Sequence, residues 1–98
     1  MTSRKERAHL FITGRVQGVF FRLETRDQAK KRNVTGWIRN RSDGRVETVF
    51  EGDIENVEKM IEFCKIGPPS ARVATTDVQW EDYSGQFKDF RILRTPIL

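Results

Sequence analysis

With 98 residues the chain can build one modest hydrophobic core and not two. Its 37% hydrophobic and 33% charged residues exclude an intrinsically disordered chain, and apolar runs of only a few residues exclude a membrane-spanning helix. Eighteen Lys and Arg against 14 Asp and Glu leave a charge of +4, which admits an anionic partner without choosing among nucleic acid, acidic lipid and a small phosphate ester.

In chain order, the opening MTSRKERA has no apolar export core, and Cys64 has no second cysteine to pair with, so the expected location is cytoplasmic. Residues 1–98 are expected to form a single domain with its core over about residues 8–94. The first strand is predicted from about Ala8 to Thr13, with Leu10 and Ile12 on one face and Gly14 bounding it. A glycine-punctuated loop, GRVQGVFFR (Gly14 to Arg22), follows. A helix is predicted from about Arg22 to Arg32, with Phe21, Thr25 and Ala29 as its buried stripe and Asn33 as a left-handed stop. Lys30, Lys31 and Arg32 fall in its last turn, where the helix dipole favours cations.

Next, TGWIRNR (Thr35 to Arg41) and RVETVFE (Arg45 to Glu51) flank Ser42-Asp43-Gly44, a strong hairpin signal. In the second of these strands Val46, Thr48 and Phe50 share a face, while Glu47 and Glu51 point the other way. Asp53 then reads as the N-cap of an amphipathic helix carrying Ile54, Val57, Ile61 and Cys64, and Gly67-Pro68-Pro69 stops it. Two further strands are predicted, from Ala71 to Tyr83 and from Lys88 to Arg94, joined by a turn near Ser84-Gly85. The order βαββαβ with a short terminal strand defines an α+β, ferredoxin-like two-layer sandwich, its sheet mainly antiparallel and both helices on one face.

The GRVQGVFFR loop therefore joins the first strand to the N-terminus of the first helix. Helix N-termini leave backbone N–H groups unpaired, and a glycine-permitted curl of amides before one forms an anion nest. Gly18 allows close backbone approach to a ligand. Phe20 and Phe21 are expected to pin the loop to the core, with substrate contact as the alternative for Phe20. Arg22 stands where the helix dipole favours an acid, which is accounted for by an anion to neutralise or by plain solvation of a surface arginine. Asn40 is a poor strand former in the middle of a strand, on the face of Ile38 and opposite Trp37, Arg39 and Arg41. It serves either the nearby turn or a polar site. His9 lies far in sequence from both segments and reads as structural or surface, and Cys64 reads as core.

These segments resemble the acylphosphatase family. The resemblance is carried by GRVQGVFFR, Ala29, GWIRN (Gly36 to Asn40), DGRVE (Asp43 to Glu47), Gly52, Cys64, Gly67-Pro68-Pro69 with Ala71 and Val73, and Phe90, in the family's order from about Leu10 to Ile92. It departs mildly at Asn33, where a helix-ending glycine is usual, and at Phe63, where a tryptophan is frequent. The resemblance implies an enzyme that hydrolyses the carboxyl-phosphate bond of a small-molecule acyl phosphate to a carboxylate and inorganic phosphate, with no metal and no cofactor. It implies that the phosphate is bound by Gln17, Gly18, Val19, Phe20, Phe21 and Arg22, and that Arg22 and Asn40 are catalytic, Asn40 by orienting the attacking water.

The chemistry fits those roles. An acyl phosphate already has a good leaving group, so positioning and charge stabilisation matter more than a strong base. A planar guanidinium grips two phosphate oxygens, and arginines in related roles contribute ~10³ to 10⁵ in rate. An asparagine amide both donates and accepts, but is no base at neutral pH, so the proton is expected to leave to a phosphate oxygen or to bulk water. An RNA-binding module of the same βαββαβ order needs exposed aromatics on a central strand. RVETVFE lacks that pattern and carries Glu47 and Glu51, so no nucleic-acid partner is expected, nor a membrane. The chain is expected to act as a monomer and as a free-standing enzyme, rather than as the carbamoyl-phosphate-cleaving module of a larger maturation protein.

Overall fold

A computed structural model describes residues 4–96. The elements are β1 (Lys5–Arg15), α1 (Phe21–Lys31), β2 (Thr35–Asn40), β3 (Val46–Asp53), α2 (Ile54–Ile66), β4 (Arg72–Glu81) and β5 (Phe90–Ile92). The strands form one sheet in the order β4-β1-β3-β2-β5, antiparallel throughout except for the parallel pair β2 and β5. Each helix joins two strands that are not neighbours, so each must cross the sheet, and their apolar stripes meet the same face of it. Phe21 and Ala29 from α1, and Val57, Met60 and Cys64 from α2, share one core with Ala8, Leu10, Ile12, Ile38, Val46 and Phe50 of the strands. This is the expected ferredoxin-like sandwich, with β5 as the short terminal strand.

The helix boundaries follow from their caps. Asn33 takes the left-handed conformation (φ 56), and the amides of Asn33 and Val34 bond back to the carbonyls of Lys30 and Ala29 at 3.3 and 2.9 Å, closing α1 as a Schellman motif. Asp53 stands at the N-cap of α2 as predicted, but its side chain makes no capping bond. Its carboxylate accepts from Lys5 Nζ at 2.9 Å instead, because β1 begins three residues earlier than the sequence indicates and brings Lys5 opposite Asp53. That lengthening comes from pairing: the ladder to β3 carries polar Lys5, Glu6 and Arg7 into the sheet, and from Arg7 onward β4 flanks β1 on its other side.

Glu47 and Glu51 do point away from the helices, yet both are buried. Glu47 is reached by His9 Nε2 at 2.7 Å, Arg39 at 2.8 Å and Arg41 at 3.1 Å. Glu51 accepts from the amides of Ser84 and Gly85 and from the Ser84 hydroxyl, with Arg7 at 3.6 Å. Several donors per carboxylate compensate the lost hydration. The far face of the sheet is thus a layer of ion pairs, with Arg39 lying over Trp37 and Arg45 over Phe11.

Candidate active site

Between β1 and α1 the chain alternates buried and exposed residues. Val16, Val19 and Phe21 are buried, while Gly18 and Phe20 are exposed. The buried three anchor the loop in the core, and Phe21 also faces Phe63 with ring centroids 6.4 Å apart. Gly18 (φ 72) and Phe20 (φ 64) both adopt left-handed backbone, which curls the segment over a short span. The loop is tied at two further points. Gln17 Nε2 donates to the carbonyls of Arg41 (2.8 Å) and Arg45 (2.9 Å), and Ser70 Oγ donates to the carbonyl of Val19 (3.2 Å).

This leaves a row of donors free. Among the described residues, no acceptor meets the backbone N–H groups of Gln17, Gly18, Val19, Phe20, Phe21 or Arg22. The Arg22 guanidinium, in the first turn of α1, has no carboxylate partner among the described residues either. Val16, Gly18, Phe20, Phe21, Arg22 and Leu23 border a recess of about 260 Å³. Two features differ from the sequence reading. Phe20 does not pin the loop, since it is 70% exposed; of the two phenylalanines only Phe21 does, together with Val16 and Val19. Gln17 spends its side-chain amide on the β2–β3 hairpin, so only its main-chain N–H is available to an anion.

Asn40 is the last residue of β2, opposite Val46 and on the helix-facing side with Ile38. Its Oδ1 is buried and accepts no hydrogen bond among the described residues. A buried acceptor without a donor is costly, and a water or ligand N–H or O–H would relieve it. The residue after it, Arg41, supplies one of the carbonyls that hold Gln17, so loop and asparagine are fixed to each other through the residue that follows β2.

The tethers themselves were not foreseen from the sequence. The available signal was that Gln17 is the one polar side chain from Val16 to Phe21. His9 lies on the opposite face of the sheet, between Glu47 and Glu81 (3.1 Å), in keeping with a structural role. Cys64 is fully buried, and burial pushes its thiol well above the usual range, which makes it a poor nucleophile. No group of three His, Cys, Asp or Glu side chains that could hold a metal ion occurs among the described residues, and no helix among them is long and apolar enough to cross a membrane.

Among the described residues, a curled run of amides without acceptors, an arginine without a carboxylate partner beside it and a buried amide oxygen at the end of β2 lie on one small α+β domain, a donor set suited to an anion. Known proteins place it further. Residues 8–92 match the model of the Acylphosphatase family. An acylphosphatase of Pelotomaculum thermopropionicum is 58% identical over 88 residues, covering 90% of this chain and 96% of that one. The structure of an acylphosphatase from Coxiella burnetii superposes with a TM-score of 0.86 at 34% identity, over 91% of this chain and 93% of that one. Full-length HypF gives a TM-score of 0.86 at 28% identity, over 97% of this chain but 13% of that much longer one. The chain belongs to the acylphosphatase family, enzymes that hydrolyse the carboxyl-phosphate bond of small-molecule acyl phosphates and release phosphate.

Proposed function

We propose that the amides of Gln17, Gly18, Val19, Phe20, Phe21 and Arg22, together with the Arg22 guanidinium, hold the phosphate of the acyl phosphate, and that Asn40 orients the attacking water. The observation that carries this reading is the row of six amides, Gln17 to Arg22, that meet no acceptor among the described residues and run into an arginine with no carboxylate partner among them. Such donors are already in place before the substrate arrives, so little reorganisation is needed as charge develops on the equatorial oxygens. Water, accepted by the otherwise unpartnered Asn40 Oδ1, bonds to phosphorus while the bond from phosphorus to the carboxyl oxygen breaks. The carboxylate leaves with the electron pair, and the water proton passes to a phosphate oxygen or to bulk water. Asn40 holds the water in line and takes no proton itself.

The test is hydrolysis of benzoyl phosphate, followed by absorbance in the presence of a chelator, by the wild type and by Arg22→Ala and Asn40→Ala. Turnover that survives the chelator and collapses in both variants, each still unfolding cooperatively, supports the assignment; variants that keep wild-type turnover overturn it. We further propose a cytoplasmic monomer as the working form. A single, fully buried cysteine suits a reducing compartment. Sedimentation equilibrium at assay concentration checks the oligomeric state.

A further inference from the structure

Phe20 is the one loop residue whose identity an anion cradle does not explain. A left-handed position favours glycine or asparagine, because Cβ crowds the following carbonyl there. Phe20 nevertheless occupies it at φ 64, ψ 17. Burial does not compensate, since the residue is 70% exposed. Neither backbone geometry nor core packing therefore calls for an aromatic ring. Leu23, three residues on and so on the same side of the helix start, is another large apolar residue left 44% exposed. Both border the recess that Arg22 also borders, and among the described residues Arg22 is the only charged one on its wall.

We propose that Phe20 and Leu23 form the acyl subsite, holding an apolar acyl group while the loop amides and Arg22 hold the phosphate. This rests on the phosphate-site reading above. The preferred substrates are then acyl phosphates with an aromatic or extended aliphatic acyl group, and small or polar ones, such as acetyl or carbamoyl phosphate, gain nothing from these two side chains. The size agrees. A recess of about 260 Å³ lies below the ~300 to 1,000 Å³ of pockets for drug-sized ligands, and takes a phosphate with an acyl group of roughly one ring.

The experiment compares kcat/KM for benzoyl phosphate and for acetyl phosphate in the wild type, Phe20→Asn and Leu23→Ser. Asparagine tolerates the left-handed backbone, so the loop keeps its path. The benzoyl-to-acetyl ratio is expected to fall about tenfold in Phe20→Asn and severalfold in Leu23→Ser, mainly through KM for benzoyl phosphate, as for loss of uniform binding. Ratios unchanged in both variants, with an active wild type, overturn the acyl subsite and leave the phosphate site standing. A wild type inactive on both acyl phosphates overturns the phosphate site itself, and the subsite with it. If Phe20→Asn loses all turnover, Leu23→Ser, whose amide is outside the cradle, decides the matter alone.

Discussion

Gln17 and Arg41 are joined by a 2.8 Å hydrogen bond from side-chain amide to main-chain carbonyl, and the same Gln17 nitrogen reaches the Arg45 carbonyl at 2.9 Å. One side chain thereby fixes the proposed phosphate loop to the hairpin whose first strand ends at Asn40. Removing it in Gln17→Ala deletes both bonds and leaves the Arg41 and Arg45 carbonyls with only their donors inside the hairpin, the Gly44 and Arg41 amides. A loss of about 1 to 2 kcal/mol in urea unfolding is expected. In the same variant kcat/KM for benzoyl phosphate should fall more than tenfold, because the cradle and Asn40 no longer share a frame. Gln17→Glu should be worse on both counts, since a carboxylate would face two carbonyl oxygens.

Arg22 sets function against stability. It is a cation at a helix N-terminus, unpaired among the described residues, so the dipole works against it. Arg22→Glu is expected to raise stability by about 0.3 to 1 kcal/mol while abolishing turnover. Arg22→Lys should leave stability unchanged and still cost at least ~10² in kcat, because a point charge does not replace a planar fork. Thermal melts and steady-state kinetics on the same preparations separate the two effects.

Glu47 gives the fold an acid limb. Burial pushes its carboxyl up, but hydrogen bonds from His9 and Arg39, the charge of Arg39 and a bond from Arg41 outweigh burial and hold it below its ordinary 4.5. A carboxyl lowered in the folded state stabilises above its unfolded value, and that contribution fades as pH falls through the folded value. Stability should therefore decline from about pH 4.5 downward. In Glu47→Gln the decline should be shallower, on a baseline about 1 to 2 kcal/mol lower at neutral pH, where the half-buried Arg39 and Arg41 lose their counter-ion. Urea midpoints across the acid range provide the measurement.

Gly36 tests the β2–β3 register. At φ 134 a Cβ there would run into the Val49 carbonyl, which belongs to the paired strand and cannot swing aside. Gly36→Ala should cost about 3 kcal/mol or more, among the larger single-site effects, and should show as a lowered urea midpoint.

How far the sequence discloses this structure depends on whether a feature is local. The helix ends were legible because Asn33 and the Gly67-Pro68-Pro69 stop act on their own neighbours. The start of β1 was not, because Lys5, Glu6 and Arg7 have no strand signature and are held by a ladder to residues some 45 positions away, joined at Arg7 by one to Glu81. Alternation placed Glu47 and Glu51 on the far face correctly. It could not reveal their burial, which depends on His9, on the arginines of two strands and on Ser84 and Gly85. For the proposed site, glycines before a helix and a misplaced arginine were readable as anion chemistry. The exposure of Phe20 was not, since hydrophobicity argues for the inside and nothing in a phenylalanine announces a positive φ.

The buried thiol of Cys64 also makes the protein its own stability gauge. It is the only cysteine in the chain, it has no exposed surface, and it sits where α2 meets the sheet. An alkylating reagent can reach it only after that helix lifts away, so the rate of labelling in native buffer, compared with that of an unfolded peptide, measures the free energy of that one opening. No probe has to be engineered for the purpose. Run beside the substitutions above, it would separate those that loosen the helix layer from those that act on the loop alone.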